Sequence, residues 1–330
     1  MHLKDFDYYL PKELIAQFPL KQRDRARLIV VDRADGTIQH RIFSDIVEYI
    51  NKDDLLVLND TKVVSCRLMG TRITGGKVEV FLLEHLGAGE FKAMISPARG
   101  KDGDVISFHN GALTARITGH GRLSFSLANP SEIYRFGLIP LPPYIKREPE
   151  KFDWDYYQTI YAKEEGAIAS PTAGLHFTKQ LIHALELKGA QIGYLTLHVG
   201  QATFKSVTVD NITEHKMDYE SFNISDNTVK LIQETRSQGK KIFAVGTTSL
   251  RTLETFAKTK SQEGKTNLFI YPGYKFKLTD CLLTNFHLPR TTLFMLVCAF
   301  AGTELAKKAY KEAIEQKYRF YSYGDAMLII

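Results

Sequence analysis

Cysteine is scarce in this sequence of 330 residues, and its three cysteines, Cys66, Cys281 and Cys298, lie far apart. So few and so widely spaced thiols exclude a disulfide framework, and the lack of any CxxC pair argues against a structural zinc site. The longest apolar run, residues 292–301, is about half as long as a helix that spans a bilayer. The first residues, MHLKDFDYYL, contain no apolar signal core. We therefore expect a cytoplasmic protein with no membrane partner.

The sequence signatures of several enzyme classes are missing as well. There is no GxGxxG turn that opens a helix, no GxxxxGK[ST] loop, no HExxH and no GxSxG. The histidines at 176, 198, 215 and 287 are too far apart along the chain for a metal site to be inferred from them. The sequence thus predicts neither a bound metal nor a standard nucleotide-binding loop.

What is present is an ordinary globular composition with a basic bias. Hydrophobic residues make up 44% of the chain and charged residues 24%, so disorder is not the expected state. A chain of this length is typical of about two domains. The net charge of +6 permits a polyanionic partner such as nucleic acid but does not demand one.

Glycine and turn signals divide the chain. Residues 60–150 hold 11 of the 23 glycines, and Asx-Gly and Gly-Gly turns separate short β-like runs there. These runs lie at residues 77–83, 91–95, 104–108, 113–117 and 122–127. The pattern predicts a small β-barrel or sandwich in this part of the chain.

Outside that segment, strand-like and helix-like stretches alternate, and Thr178 and Ser225 are expected to cap two of the helices. Such alternation is typical of a sheet covered by helices. The predicted fold is therefore an α/β main domain built from both chain ends, residues 1–59 and 151–330. An inserted all-β, barrel-like domain is predicted at residues 60–150.

Four loops beside predicted buried strands carry the candidate chemistry. In residues 169–178, ASPTAGLHFT, small residues allow a ligand to approach the backbone closely. The loop TLHVGQATF, residues 196–204, follows a strand, and ligands bind at the carboxyl ends of strands in α/β sheets. Each loop has a structural alternative, namely a helix N-terminal turn with a hydrogen-bonded His176 and a core position for His198.

The other two loops join a strand to a helix. Residues 245–254, VGTTSLRTLE, offer backbone N–H groups and hydroxyls that suit an anion, with Arg251 one turn further along. Residues 283–292, LTNFHLPRTT, offer an amide, an imidazole and a guanidinium. Here the structural alternatives are N-capping by a threonine or serine and a turn stabilised by Asn285.

Aromatic side chains cluster near the C-terminus, in the stretch YRFYSYGDAM at residues 318–327. This stretch also contains Arg319 and Asp325. Aromatic residues interleaved with arginine can stack on nucleic-acid bases, whereas a terminal core element explains the same composition. The sequence alone leaves both interpretations open.

Taken together, these segments resemble one family, the S-adenosylmethionine:tRNA ribosyltransferase-isomerases of queuosine biosynthesis. The resemblance runs from end to end of the chain. Its long matches include DFDYYLPKELIAQFPL at residues 5–20, LLVLNDTKVVSCRL at 55–68, PLPPYIKR at 140–147, FIYPGYKF at 269–276 and YRFYSYGDAMLI at 318–329. The sequence departs from the usual family pattern at five positions. Ser170 stands where the family has alanine, Ala202 where it has glycine, Ser206 where it has proline, Glu214 where it has aspartate and Asp218 where it has histidine. No catalytic role is therefore assigned to Asp218.

The resemblance implies a specific reaction. S-adenosylmethionine would serve as a ribosyl donor, with 7-aminomethyl-7-deazaguanine at the wobble position of a GUN anticodon as the acceptor. The product base would be epoxyqueuosine, and adenine and methionine would leave. The family fold, an α/β domain with an inserted barrel-like domain, agrees with the fold predicted above. The resemblance also implies a monomer that needs no metal.

Such a reaction needs a base at the 5′ carbon of the donor, an acid for the departing adenine and a neutral acceptor amine. We expect the catalytic groups among His176, His198, His287 and Asp325. Substrate contacts are expected from Pro171, Thr172, Ala173, Gly174, Gly200, Gly246, Thr247, Thr248, Ser249, Arg251 and Asn285. The turn at 246–249 and Arg251 would bind the methionine carboxylate or a tRNA phosphate.

Contacts with tRNA are expected from basic residues near the predicted domain junctions, in the loop at 283–292 and in the aromatic stretch at 318–327. These residues are Lys62, Arg67, Lys146, Arg147, Arg290 and Arg319. Phosphate contacts of this kind would make the affinity fall steeply with salt. Ordinary solvated surface charge is the alternative for each of them.

Two other functions account for parts of the sequence. A methyltransferase using the same cofactor would release S-adenosylhomocysteine instead of adenine, and the missing glycine-rich fingerprint argues against it. A non-catalytic RNA-binding protein would account for the charge and the aromatic residues. It would not explain four small-residue loops at strand ends.

Overall fold

The computed structural model describes residues 1–98, 100–200 and 207–330. Its strands are β1 (Arg27–Val31), β2 (Ile38–Ile42), β3 (Leu55–Asn59), β4 (Thr61–Val63), β5 (Arg67–Arg72), β6 (Lys77–Gly87), β7 (Glu90–Ser96), β8 (Val105–Phe108), β9 (Leu113–Gly119), β10 (Arg122–Phe125), β11 (Glu164–Ala167), β12 (Gln191–Leu197), β13 (Glu220–Ile224), β14 (Ile242–Val245), β15 (Glu263–Thr266), β16 (Cys281–Asn285) and β17 (Ala326–Ile329). Its α-helices are α1 (Pro130–Tyr134), α2 (Asp153–Tyr156), α3 (Lys179–Leu187), α4 (Asp226–Ser237), α5 (Thr247–Thr259), α6 (Thr292–Ala301) and α7 (Thr303–Glu315). Short 3-10 helices lie at Leu3–Phe6, Lys12–Leu14, Arg23–Arg25, Phe43–Tyr49, His109–Gly111, Thr172–His176 and Ile212–Glu214.

A nine-stranded mixed sheet forms the main domain, in the order β15-β13-β12-β3-β14-β16-β17-β1-β2. The central strands β12, β3, β14 and β16 run parallel to one another, so their carboxyl ends meet at one edge. Both faces of this centre are covered: along β3, Leu55 and Val57 pack into one core, whereas Leu56 and Leu58 pack into the other. Coverage on both sides explains why the central strands are continuous apolar runs.

Helices cover both faces, and two of their starts were predicted. The hydroxyl of Thr178 accepts from the Leu181 N–H at the start of α3, and that of Ser225 accepts from the Thr228 N–H at the start of α4. The predicted caps are therefore confirmed, because each hydroxyl satisfies an N–H that has no partner inside its helix. Helix α6 is apolar on nearly every side because it packs deep in the core against α7.

The second part of the fold is a closed barrel of six antiparallel strands, in the order β10-β7-β6-β5-β8-β9. Every other residue along β9 and β10 is buried, as expected where one face of each strand lines the barrel interior. Strand β5 was not among the predicted strands, because Gly70 interrupts its pattern. A side chain there would lie 2.7 Å from the ring of Phe108, so glycine is required by the packing.

The predicted fold class is confirmed, since an α/β domain carries an all-β barrel. All six barrel strands lie between residues 67 and 125, inside the predicted insertion, and the exact domain bounds remain a prediction. The two connections between barrel and main domain run side by side, because β4 pairs in parallel with β11. Within the described ranges, no helix has both the length and the apolar character needed to cross a membrane.

Candidate functional site

A cavity of about 550 Å³ opens at the carboxyl edge of β14 and β16. Its wall brings together segments that are remote along the chain. These lining residues are Lys12, Ile15, Gln17, Pro143, Tyr144, Lys146, Tyr157, Ala169, Ser170, Pro171, Thr172, Ala173, Val199, Gly246, Thr247, Thr248, Thr284, Asn285, Phe286, His287, Leu288, Thr291, Leu293, Tyr321 and Ser322. Parts of all four predicted loops therefore meet in one space.

The turn after β14 reaches the cavity because Gly246 has a φ of 89°, a backbone angle that residues other than glycine adopt only under strain. This conformation sends the chain directly from β14 into α5, so Thr247 and Thr248 lie in its first turn at the cavity wall. The first N–H groups of a helix have no partner within the helix and favour an anion. Thr247 and Thr248, two of the residues predicted to bind an anion, therefore line the cavity.

Asn285 links the wall of the cavity to the structure behind it. Its Oδ1 accepts a hydrogen bond of 2.9 Å from the hydroxyl of Thr172. Its Nδ2 lies 3.2 Å from Nε2 of His176 and also donates to the carbonyl of Asp325. Because an amide nitrogen can only donate, Nε2 of His176 must be the acceptor.

His176 itself lies behind the wall and does not line the cavity. Its Nδ1 is 3.4 Å from the carbonyl of Arg23 and therefore carries the proton. Burial lowers the pKa of His176 to about 4, so the ring is neutral at neutral pH. Both of its nitrogens contact protein groups, one of them the amide of Asn285 at the cavity wall.

His287 lines the cavity and is held on several sides. Its Nε2 lies 2.8 Å from the hydroxyl of Thr284, and its backbone N–H donates to the hydroxyl of Tyr310. Its carbonyl accepts a hydrogen bond from the hydroxyl of Tyr8. Burial lowers the pKa of His287 to about 3, so a neutral, fixed imidazole faces this space.

His198 lies outside this cavity, in a cleft of about 1030 Å³ between the barrel and the main domain. Its Nδ1 is 2.8 Å from the hydroxyl of Thr61. Burial lowers the pKa of His198, and the nearby carboxylate of Glu164 opposes that shift. Gly200 borders the same cleft, whereas Val199 borders both spaces. The segment at 198–200, which follows β12, thus lies between the cavity and the cleft.

Several predicted site residues are not brought to the cavity. Arg251 forms a buried ion pair with Glu220, whose other oxygen accepts from the Gly200 N–H at 3.1 Å. Ser249 is fully buried, and Gly174 does not reach the wall. The carboxylate of Asp325 accepts from the backbone N–H groups of Arg27 and Arg319 at 2.9 and 2.8 Å. In the structure, the guanidinium of Arg251 and the carboxylate of Asp325 thus contact protein groups away from the cavity.

Most of the predicted tRNA-binding cations are also paired within the protein. Lys62 contacts Glu165 at 3.0 Å, and Arg67 forms ion pairs with two glutamates. Arg147 binds Asp153 with two hydrogen bonds, and Arg290 forms an ion pair with Asp7. Arg319 donates a hydrogen bond to the carbonyl of Phe18. Lys146 differs, because it lines the mouth of the cavity. Of the six, it is the one placed where a phosphate near the cavity would meet it.

Sequence reasoning missed several residues of the wall. These are Lys12, Ile15, Gln17, Tyr144, Tyr157, Thr284, Tyr321 and Ser322. All of them except Tyr157 lie in segments that stand out in the sequence, namely DFDYYLPKELIAQFPL, PLPPYIKR, LTNFHLPRTT and YRFYSYGDAM. Of the departures from the family pattern, Ser170 lines the cavity and Asp218 borders the cleft. Ala202 and Ser206 lie outside the described residues.

Comparison with known proteins agrees with this architecture. The family described as "Queuosine biosynthesis protein" matches residues 3–329. An S-adenosylmethionine:tRNA ribosyltransferase-isomerase from Sulfurihydrogenibium sp. (strain YO3AOP1) is 47% identical over 336 residues, which cover 100% of both chains. The chain belongs to the S-adenosylmethionine:tRNA ribosyltransferase-isomerase family.

A ribosyltransferase-isomerase from Thermosipho melanesiensis is 48% identical to this family member over 337 residues, again covering 100% of both chains. The crystal structure of an S-adenosylmethionine tRNA ribosyltransferase from Thermotoga maritima covers 99% of this chain, with 39% identity and a TM-score of 0.59. The resemblance stated from the sequence is confirmed, and the protein is an enzyme of queuosine synthesis. In the part of the chain that the structure describes, no group of three or more His, Cys, Asp or Glu side chains is placed to hold a metal ion.

Proposed function

We propose that this enzyme transfers and isomerises the ribosyl group of S-adenosylmethionine onto 7-aminomethyl-7-deazaguanine at the wobble position of a tRNA with a GUN anticodon. The product base is epoxyqueuosine, and adenine and methionine are released. The observation that carries this proposal is the single cavity into which residues 169–173, 246–248 and 284–288 converge. The names of the relatives support the donor and the tRNA as substrates.

The neutral imidazole of His287 is our candidate for proton transfer at the donor. The sulfonium acidifies the adjacent 5′ carbon. The lowered pKa of His287 keeps its ring unprotonated, and so able to accept a proton, throughout the neutral pH range. After taking that proton, an imidazolium in this site is a strong acid, which suits protonation of the departing adenine. His287 thereby fills the two roles in turn, with Thr284 holding its ring through Nε2.

The other wall residues position the donor. The first turn of α5, with Thr247 and Thr248, suits the methionine carboxylate of the donor because unpaired N–H groups face that end. The amide of Asn285 holds the hydroxyl of Thr172 in one orientation, and His176 holds that amide. Pro171 and Ala173 leave room for the nucleoside because their side chains are small.

We assign the acceptor side to the cleft between barrel and main domain. His198 faces it and is the candidate base for the acceptor amine, since Val199 next to it borders the donor cavity. Lys146 and Lys12 at the cavity mouth suit tRNA phosphates. Arg67 and Arg147, whose guanidinium groups are paired with carboxylates of the protein, are not assigned to tRNA binding here.

The test is product analysis after incubation of the enzyme with precursor tRNA and S-adenosylmethionine. We expect mass spectrometry to show epoxyqueuosine in the anticodon and free adenine in equal amounts. Release of S-adenosylhomocysteine in place of adenine would identify a methyltransferase instead. Binding of tRNA without any change of the donor would identify a non-catalytic RNA-binding protein.

We further infer that the enzyme acts in the cytoplasm, as a monomer and without a metal, which is what the family resemblance implies. Size-exclusion chromatography with light scattering tests the monomer. Adenine release that survives dialysis against a chelator tests the independence from metal. Loss of activity that returns with added Zn²⁺ or Mg²⁺ would contradict it.

A further inference from the structure

The donor of the proposed reaction carries a permanent positive charge on sulfur, and the inference below rests on that proposed function. Among the described residues, none that lines the cavity is a carboxylate. The remaining residues, QATFKS at 201–206 and Arg99, contain no acidic side chain in their sequence. Within the described part of the wall, the charged side chains are the cations Lys12 and Lys146. The described residues that line this cavity therefore offer no counter-ion to a sulfonium.

Aromatic rings are the alternative that the wall offers. The faces of such rings attract cations because their quadrupole is negative there, and quaternary cations are commonly recognised in this way. Among the described residues, the wall carries the rings of Tyr144, Tyr157, Phe286 and Tyr321, besides the imidazole of His287. The rings of Tyr144 and Tyr321 are packed together, with centroids 3.9 Å apart and planes inclined by 53°.

Tyr321 is held in place by the core of the main domain and by its neighbour. Its side chain is partly buried and packs against that core. The hydroxyls of Tyr144 and Ser322 form a hydrogen bond, which fixes the Tyr144 ring that packs against Tyr321. Tyr321 also lines the cavity, so this fixed side chain forms part of its wall.

The backbone at Tyr321 is strained, which is a separate indication of function. Its φ is 73°, in the left-handed region that a bulky residue rarely adopts. The strained turn is fixed by a hydrogen bond from the Tyr321 N–H to the Phe286 carbonyl at 3.2 Å, and by one from the Gly324 N–H to the Tyr321 carbonyl at 2.9 Å. Strain of this kind is characteristic of ligand sites, where the surrounding structure holds a residue in position.

We propose that the ring of Tyr321, supported by Tyr144, binds the sulfonium of the donor through a cation–π contact. The site makes the cavity selective for a positively charged sulfur over a neutral thioether. Such a contact acts before the reaction and not after it, because the released methionine carries a neutral sulfur. Tyr321 is thus a specificity-determining residue that favours binding of the donor and release of the product.

The experiment measures the KM for S-adenosylmethionine and the inhibition constant of S-adenosylhomocysteine, which is the neutral thioether. Both are determined from adenine release at saturating precursor tRNA. The selectivity is the inhibition constant of S-adenosylhomocysteine divided by the KM for S-adenosylmethionine. Tyr321→Leu, which removes the ring, should lower this ratio about tenfold. Tyr321→Phe keeps the ring and the strained position, and it should keep the ratio whatever happens to the rate.

Tyr9→Leu serves as a matched control, because Tyr9 is an exposed tyrosine outside the cavity. It should leave both constants unchanged. If Tyr321→Leu does not fold, phenylalanine with increasing numbers of ring fluorines can be introduced at position 321. Fluorination weakens the negative ring face without changing the shape much, so the ratio should fall stepwise.

An unchanged ratio in Tyr321→Leu, or a ratio independent of fluorination, would overturn the inference while the proposed function stands. A wild-type enzyme that releases no adenine from S-adenosylmethionine in the presence of precursor tRNA would overturn the proposed function itself. The two failures are therefore distinguishable in the same series of assays.

Discussion

Lowering the pH from 7 to 5 should destabilise this enzyme through His176 and His287, the two histidines buried at and behind the cavity wall. In the unfolded chain each imidazole titrates near its ordinary pKa of about 6.5. In the folded protein, burial lowers the pKa of His176 to about 4 and that of His287 to about 3. Between these values the unfolded chain binds more protons than the folded protein does. The stability that each neutral histidine contributes is therefore complete above pH 6.5 and is lost as the pH falls.

The size of the loss follows from the same pKa values. One pKa unit corresponds to about 1.4 kcal/mol, and pH 5 lies roughly 1.5 units below the unfolded pKa. Each histidine should therefore cost about 2 kcal/mol of unfolding free energy at pH 5, or about 4 kcal/mol for both. That is a large part of the stability of a typical domain.

Urea unfolding at pH 7 and pH 5 measures this difference in the wild type, His176→Asn and His287→Asn. Each replacement should remove about 2 kcal/mol of the pH-dependent difference, whatever it does to the stability at pH 7. His183→Asn is the control, because the His183 side chain is mostly exposed and should leave the difference unchanged. The same pH-dependent difference in all four proteins would refute the neutral, buried state assigned to the two histidines.

Three further predictions concern the site and its support. His287→Asn should lower kcat by about 10²–10⁴-fold in the adenine-release assay, and an unchanged kcat would remove this residue from the proton transfer. Lys146→Ala should reduce the slope of log Kd for tRNA against log salt concentration by about one. Lys62→Ala should change that slope less, because its ammonium is already paired, and equal changes would contradict the assignment. Glu220→Gln leaves the guanidinium of Arg251 buried without its counter-charge and should cost about 3–5 kcal/mol in urea unfolding. A cost below about 1 kcal/mol would show that the pair is not a buried unit.

The fold class could be predicted because local patterns carry it. Continuous apolar strands such as β3 and β14 indicate a sheet covered on both faces, and the caps Thr178 and Ser225 mark helix starts locally. Strand β5 was missed because the reason for Gly70 is a contact with Phe108, which is distant in sequence. Helix α7 was also overlooked, although its buried residues recur at helical spacing.

The site was predicted in part, and the division has a physical basis. Loops at the carboxyl ends of parallel strands must meet at one edge, so Thr247 and His287, which follow β14 and β16, could be expected near one another. Thr172 follows β11, which pairs with β4 outside the main sheet, so its place at the cavity depends on tertiary packing. The pairing of Arg251 with Glu220 is a tertiary contact that no local pattern reveals. The strained φ of Tyr321 likewise depends on the folded surroundings, since nothing in the sequence requires it.

The central claim is that the donor occupies the cavity at the carboxyl edge of β14 and β16, and photo-crosslinking tests it most directly. A donor that carries an azide on its adenine is irradiated with the enzyme at saturating precursor tRNA, and the labelled peptides are identified by mass spectrometry. We predict labels within residues 169–173, 246–248 and 284–288, which line the cavity together. Labels confined to the cleft around residues 82–85 and 217–221 would contradict the account.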